Sequence, residues 1–324
     1  MPRSVRFHRT GGPEVLACED VPARAPGPHE LRVRVRAAGV NFIDVYHRTG
    51  LYPSALPFAA GYEGAGVVEE VGGAVRGFRE GDRVAWPFAP GSYADEIVLP
   101  ESAAVAIPDP VGEETAAAAM LQGMTAHYLT HGVRATRPGD TALVHAAAGG
   151  TGLLLVQMLK AAGAYVIGTC STDEKERVAQ AAGCDRIVRY TEADVPEAVK
   201  RITAGRGVDV VYDSVGQATF EGSLASLRPR GLLCSFGQSS GPVPPFELRR
   251  LNAMGSLFVT RPTLAHYMAT REELEMRAND VLDAVADARL DVRIGARFPL
   301  ERADEAHRAL EGRASTGKLL LIPT

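Results

Sequence analysis

The chain has 324 residues, a formal net charge of −4, 46% hydrophobic and 23% charged residues. That length exceeds what one small core holds and predicts two domains. The mild acidic balance speaks against a nucleic-acid surface, which needs a basic excess to neutralise phosphates, and no apolar run approaches the roughly 20 residues that span a bilayer.

Cys18, Cys170, Cys184 and Cys234 are scattered, with no CxxC pair, which argues against a disulfide framework and a structural zinc site. The N-terminal stretch MPRSVRFHRT has no apolar signal core. A reduced, cytoplasmic protein is the expectation. Lysine stands only at positions 160, 175, 200 and 318, an arginine bias to which no function is attached.

The first third reads as β. Glu30–Val40 alternates apolar residues with arginine, the period of a half-buried strand. Further strands are expected at Gly64–Val71, Asp82–Trp86 and Tyr93–Leu99, between glycine-rich turns. An alanine-rich helix from Glu113 to His131 follows, with Gly132 as its C-cap.

From Thr141 the rhythm becomes strand, helix, strand, helix. Strands are expected at Thr141–Ala147, Tyr165–Cys170, Arg186–Tyr190, Val208–Asp213, Leu232–Phe236 and Ser256–Thr260, with helices at Gly150–Ala162 and Asp173–Ala182. Alternation of this kind predicts a doubly wound parallel sheet. After Pro262 come a charged helix near Arg271–Arg289, a strand, a helix at Ala303–Glu311 and a last strand, Lys318–Ile322. This tail is too short to extend the alternation and is expected to return to the first domain.

Ala147-Ala148-Gly149-Gly150-Thr151-Gly152 is an AxGxxG turn directly after a strand and opening a helix, the context that makes a glycine fingerprint specific for a dinucleotide. Gly149 lets the backbone approach a pyrophosphate, Gly152 permits tight helix packing, and the helix N-terminus offers free N–H groups to the anion. The second strand ends in Cys170-Ser171-Thr172 with no carboxylate at its tip to hold a ribose 2′-hydroxyl. Ser171, Thr172 and Lys175 suit a 2′-phosphate instead, which favours NADPH. Asp173 stands close enough to repel that phosphate, and its position also fits the start of a helix, where Asp is favoured structurally.

Several segments together resemble one family: Phe7–Leu16, Gly39–Pro53 (GVNFIDVYHRTGLYP), Gly61–Val68 (GYEGAGVV), His145–Gly152 (HAAAGGTG), Tyr212–Gly216 (YDSVG), Ser235–Gly241 and Gly255–Pro262. They are similar to the zinc-free quinone oxidoreductases, the zeta-crystallin branch of the medium-chain dehydrogenase/reductase superfamily, over nearly the whole chain. The resemblance implies an α/β protein: a GroES-like β-rich catalytic domain from residues 1–123 and 265–324, and a Rossmann domain from 124–264, with the cofactor in their cleft. It also implies NADPH, a quinone acceptor and a homodimer formed through the Rossmann sheet edge. Carried over by motif, the cofactor contacts are Asn41, Phe42, Ile43, Asp44, Val45, Tyr46, Tyr128, Gly149, Gly150, Thr151, Gly152, Ser171, Thr172, Lys175, Tyr190 and Ser214. Phe236, Gly237, Gln238, Ser239, Val259, Thr260, Arg261 and Arg313 complete the set.

Zinc-dependent relatives have a Cys where Asn41 stands and a His where Tyr62 stands. Neither Asn nor Tyr is a usual zinc ligand, so no metal is expected. His127 and His131 fall on one helix face, but without a third ligand they read as packing histidines. Loss of zinc suits quinone reduction, in which developing charge delocalises into a ring becoming aromatic and positioning supplies much of the rate. Asn41, Tyr46 and Tyr52 are the expected hydrogen-bond donors at the acceptor oxygen, with Gln122 next. Tyr52 suits equally a loop aromatic packed beside Pro53, and Asp44 reads better as a structural hydrogen-bond acceptor than as a proton carrier. The rival enzymatic reading is reduction of an activated C=C bond in an enone or alkenal. A rival of another class is a non-catalytic, crystallin-like or RNA-binding role, against which the phosphate-binding turn and the acidic charge weigh.

Overall fold

The computed structural model describes residues 1–323. Met1–Met124 with Thr270–Thr324 form one compact unit, and Thr125–Ala269 form a second.

The first unit begins with β1 (Arg3–Phe7), β2 (Ala17–Asp20), β3 (Glu30–Val40), α1 (Phe42–Thr49), β4 (Phe58–Ala59), β5 (Glu63–Val71), β6 (Arg83–Trp86), β7 (Glu96–Pro100), β8 (Val105–Ala106) and α2 (Glu113–His127). β3 alternates as expected through Arg36, burying Leu31, Val33 and Val35 while its arginines face outward. From Ala37 to Val40 every residue is buried. β1, β2, β4 and α1 are not legible as elements in the sequence. α1 is held at its start by Asp44, whose Oδ2 accepts from the Asn41 N–H at 2.8 Å. The helix expected to run to His131 ends as an α-helix at His127 and continues as a π-helical turn, Tyr128–Val133, that contains Gly132. There the Thr130 hydroxyl bonds back to the Ala126 and His127 carbonyls, at 2.8 and 3.1 Å, and competes with regular α-helical pairing.

The second unit carries β9 (Thr141–Val144), α3 (Gly150–Ala161), β10 (Tyr165–Cys170), α4 (Asp173–Ala181), β11 (Arg186–Arg189), α5 (Val195–Ile202), β12 (Val208–Asp213), α6 (Phe220–Ser226), β13 (Leu227–Ser235), α7 (Arg249–Ala253), β14 (Phe258–Thr260) and α8 (Leu264–Tyr267). Its strands form one sheet in the order β11-β10-β9-β12-β13-β14, every pairing parallel. This is the doubly wound order whose direction of winding reverses between β9 and β12, the place where such sheets bind ligands.

The chain then adds α9 (Arg271–Ala286), β15 (Ile294–Pro299), α10 (Ala303–Glu311) and β16 (Lys318–Ile322) to the first unit. β16 pairs antiparallel with β3, completing the sheet β15-β16-β3-β5-β6-β8, with β7 also on β3. Phe7, Leu31, Trp86, Tyr93, Leu99, Leu319 and Leu321 share its core. The tail therefore returns to the first domain, because its apolar KLLLI run finds there a strand edge to pair and a core to cover.

Candidate active site

In the second unit the β9–α3 turn leaves a helix start without a side-chain cap. Gly149 is the N-cap residue, and Leu153 N–H is the first to find its i−4 carbonyl, that of Gly149. The preceding N–H groups are the free donors an anion requires. A Cβ on Gly152 would lie 2.4 Å from the Ala146 carbonyl and 2.9 Å from Ala147 Cα, so only glycine lets the helix pack this close to the strand.

Beside this turn, His145 at the end of β9 bonds to Thr169 (3.1 Å) and Ser223 (3.0 Å), and Ser223 donates to Asp213 Oδ2 (2.7 Å). Asp213 also accepts from the N–H groups of Val215 (2.8 Å) and Gly216 (3.0 Å). Burial holds the His145 imidazole below its ordinary pKa, with Asp213 opposing, so it ties the strand ends together as a neutral ring. The loop Phe236–Ser239 folds onto Ser214: Phe236 N–H reaches the Asp213 carbonyl (2.9 Å) and Ser239 N–H the Ser214 carbonyl (3.2 Å). Ser214 and that loop are thereby brought together at the carboxyl ends of β12 and β13. Val259 and Thr260 lie on the neighbouring β14, and Arg261 follows it. Tyr128 is buried, its ring stacked at 4.6 Å on Tyr267.

Ser171, Thr172, Lys175 and Tyr190 gather past the ends of β10 and β11. Tyr190 N–H bonds the Cys170 carbonyl at 3.2 Å, and the Thr172 hydroxyl caps α4 by accepting from Lys175 N–H at 3.3 Å. Asp173 occupies the first position of α4, as its helix-start reading expects, and it is ion-paired with Arg189. The same guanidinium reaches Glu192 (2.8 Å) and Glu176 (3.5 Å). Arg189 was not singled out in the sequence, and it reduces the repulsion Asp173 would exert on a phosphate. Arg313 belongs to the first unit, in the turn between α10 and β16.

The first unit holds a buried polar cluster that sheet register assembles. β5 sets Glu63 opposite Gly39, and β16 sets Leu319 opposite Val40, so Lys318 arrives beside Asn41. The Lys318 ammonium pairs with Glu63 Oε2 at side-chain exposures of 1% and 0%, and donates to Asn41 Oδ1 at 2.7 Å. Asn41 Nδ2 in turn donates to Glu63 Oε2 (2.8 Å) and the Gly39 carbonyl (3.2 Å), while Gln122 Nε2 donates to Asn41 Oδ1 (3.3 Å). Sequence reasoning offered the Asn41 amide as a donor to substrate; in the structure both its N–H groups are taken, and it bridges Lys318 and Glu63 instead. A Cβ on Gly39 would fall 2.2 Å from Glu63 Oε2 and 2.7 Å from Lys318 Cε, which explains a glycine inside a strand. Burial pulls Lys318 below its ordinary pKa against the pull of Glu63.

A second chain of buried groups ties α1 to α10. Asp44 Oδ2 accepts from the Tyr93 hydroxyl (2.8 Å), whose oxygen lies 3.3 Å from His307 Nε2. His307 Nδ1 lies 3.2 Å from Arg48 Nη1, and Arg48 pairs with Glu311. Arg48 can only donate, so His307 carries its proton on Nε2 and donates to Tyr93, leaving the Tyr93 proton for Asp44. Burial, reinforced by the Arg48 charge, takes His307 down to about 3, so it is neutral. Burial pushes Asp44 up to about 7 despite the hydrogen bonds from Tyr93 and Asn41. Asp44 is thus a structural acceptor, as the sequence suggested.

Next to these lies an aromatic cluster. Tyr46 and Tyr52 pack at 5.2 Å, Tyr52 meets the His47 edge at 5.6 Å, and His47 stacks on Phe58 at 5.3 Å. Tyr62 packs against Phe88 at 4.5 Å and His47 at 5.1 Å. Phe42 sits 6.1 Å from Tyr46 on the same helix, which also carries Ile43 and Val45. Glu63, Lys318, Tyr93, His307 and Arg48 were missed by sequence reasoning. Lys318, a rare lysine opening an apolar strand, was the one legible signal among them. Among the described residues no group of three or more His, Cys, Asp or Glu is placed to hold a metal ion, and no helix is long and apolar enough to cross a membrane. All four cysteines are free.

Residues 27–109 match the alcohol dehydrogenase GroES-like domain family, and residues 150–282 the zinc-binding dehydrogenase family. The chain is 46% identical to a quinone oxidoreductase of Pseudomonas aeruginosa, over the full length of both. It is 42% identical to a 2-haloacrylate reductase of Burkholderia, over 98% of each. Among solved structures, Escherichia coli quinone oxidoreductase complexed with NADPH superposes with a TM-score of 0.97 at 43% identity, covering 99% of this chain and 100% of that one.

Proposed function

Because this chain belongs to the quinone oxidoreductase family of the medium-chain dehydrogenases and reductases, we propose that it reduces quinones with NADPH, by hydride transfer and without zinc. The observation that carries this reading is full-length likeness, at 43% identity, to an enzyme solved with NADPH. The uncapped start of α3, with its close-packed Gly152, fits the pyrophosphate of such a cofactor. When bound, NADPH supplies the hydride from its nicotinamide C4.

The protein's own residues bind and orient. Gly150, Thr151 and Gly152 present backbone N–H groups to the pyrophosphate, and Ser171, Lys175 and Tyr190 hold the 2′-phosphate end. In the second unit Ser214, the Phe236–Ser239 loop, Val259–Arg261 and Tyr128 bound the rest of the cofactor. Tyr46 and Tyr52 stack beside the acceptor and hydrogen-bond its oxygen. Asn41 acts indirectly, by fixing the Asn41–Tyr46 segment on the Lys318–Glu63 pair. Asn41 and Tyr62 are poor zinc donors, and a quinone needs no Lewis acid to accept a hydride.

Loss of nicotinamide absorbance with 1,4-benzoquinone, using NADPH or NADH with and without EDTA, tests this. Chelator-resistant turnover preferring NADPH is expected. NADPH binding without quinone turnover would favour reduction of an activated C=C bond, the reading supported by the 2-haloacrylate reductase relative; 2-chloroacrylate as acceptor separates the two. We further read the protein as a cytoplasmic homodimer joined at the edge strand β14. The free cysteines support a reducing compartment, and Phe258 on that strand, 61% exposed, supports the interface. Phe258→Lys is expected to yield a monomer by sedimentation.

A further inference from the structure

Hydride addition alone leaves a quinone one proton short of the neutral quinol. We propose that Tyr62 donates that proton to the reduced acceptor and that His47 and Ser54 re-supply it from the loop side. The inference rests on the quinone-reductase reading.

The phenol of Tyr62 is nearly buried, its ring wedged against Phe88 and beside Phe58. Its hydroxyl lies 2.9 Å from His47 Nε2, and His47 Nδ1 lies 2.6 Å from the Ser54 hydroxyl. Exchangeable hydrogens therefore run in one line from the half-buried Ser54 loop to the buried phenol. The His47 ring that links them is fixed: it stacks on Phe58 with an interplanar angle of 6° and meets Tyr52 at 83°. Tyr52 packs in turn on Tyr46, so Tyr62 shares one aromatic cluster with the two tyrosines assigned to the acceptor.

Hydrogen-bond capacity separates Tyr62 from Tyr93. The Tyr93 proton is committed to Asp44 and its oxygen accepts from His307. Tyr62 has His47 as its one hydrogen-bond partner among the described residues. When His47 donates from Nε2 and accepts the Ser54 proton on Nδ1, the phenolic proton is left for an acceptor oxygen.

The bookkeeping of atoms is closed. Hydride addition gives the quinol monoanion; the Tyr62 O–H bond breaks as a new O–H bond forms on that oxygen. The phenolate takes the Nε2 proton of His47, Nδ1 takes the Ser54 hydroxyl proton, Ser54 takes one from water, and His47 returns to its Nε2–H tautomer by exchange with solvent before the next turnover. In sum, quinone, NADPH and one proton give quinol and oxidised cofactor. Burial, with the Asp44 charge adding to it, lifts Tyr62 to about 12, which keeps it protonated at rest. The same burial raises the basicity of a quinolate formed beside it, and transfer concerted with the His47 proton avoids a free phenolate.

Tyr62→Phe keeps the ring and removes the proton. With benzoquinone, kcat is expected to fall by roughly 100-fold, the lower range for loss of a positioned acid, while NADPH affinity read by fluorescence stays within about twofold of wild type by this assignment. His47→Gln should act likewise, and the double variant should be no slower than the slower single, because the groups act as one unit. Ser54→Ala, at a tolerant loop position, serves should His47→Gln fail to fold, and a several-fold loss is expected there. The wild-type solvent deuterium isotope effect on kcat should change in Tyr62→Phe. Tyr62→Phe and Ser54→Ala enzymes as fast as wild type, or losses that multiply in the double variant, would overturn the relay. Absence of quinone turnover in the wild type would instead remove the reading on which it rests.

Discussion

Replacing Lys318 by Met tests the buried cluster directly. The substitution keeps the stem and removes an ammonium from a pair with Glu63 that solvent does not reach. Breaking a buried pair by deleting one partner costs about 3–5 kcal/mol, because the other charge is left uncompensated. Glu63 keeps the N–H groups of Asn41 and Leu121, so the lower end, about 3 kcal/mol, is expected. At roughly 2–4 °C per kcal/mol for a unit of this size, Tm of the first unit should drop by about 6–12 °C. Trp86 is the single tryptophan, fully buried in that unit, so its fluorescence reports this transition. Pairing Lys318→Met with Glu63→Gln removes both charges, and stability should return to within about 1–2 kcal/mol of wild type. A single variant within about 1 kcal/mol of wild type, or a double variant no better than the single, would refute the argument.

The pH dependence of stability carries the signature of Asp44. Its folded pKa of about 7 exceeds the ordinary carboxylate value of 3.8, so its contribution is full below about 4 and is lost as pH rises through about 7. Asp44→Asn should therefore gain on wild type in Tm between pH 5 and pH 8; a constant difference would contradict the assignment. Gly152→Ala should cut NADPH affinity more than tenfold in titration, at a position where Cβ meets a carbonyl at 2.4 Å. Arg189→Ala exposes Asp173 to the 2′-phosphate, and NADPH binding should weaken by about fivefold, the equivalent of roughly 1 kcal/mol at a wet surface, with NADH unchanged. Equal loss for both cofactors would show that Arg189 acts on the fold alone.

Local signals were enough for much of this protein. The alternation in β3, the strand–helix rhythm after Thr141 and the glycine turn before α3 are each patterns among sequence neighbours, and each matches an element in place. The tail's return followed from its length and its apolar last strand. What the sequence left unread depends on distance along the chain. Asn41 lies 22 residues from Glu63 and 277 from Lys318, and nothing in the local pattern of any one residue names the others. Only the register of β3 between β5 and β16 puts the three together, turning Asn41 from a spare donor into a committed bridge. Likewise Arg189 met Asp173, and His47 met Tyr62, across turns that carry no periodicity. Periodicity and turn chemistry are properties of neighbours in sequence, and these set the elements. Hydrogen-bond partners inside a low-dielectric core are neighbours in space, and those were decided by the packed sheets.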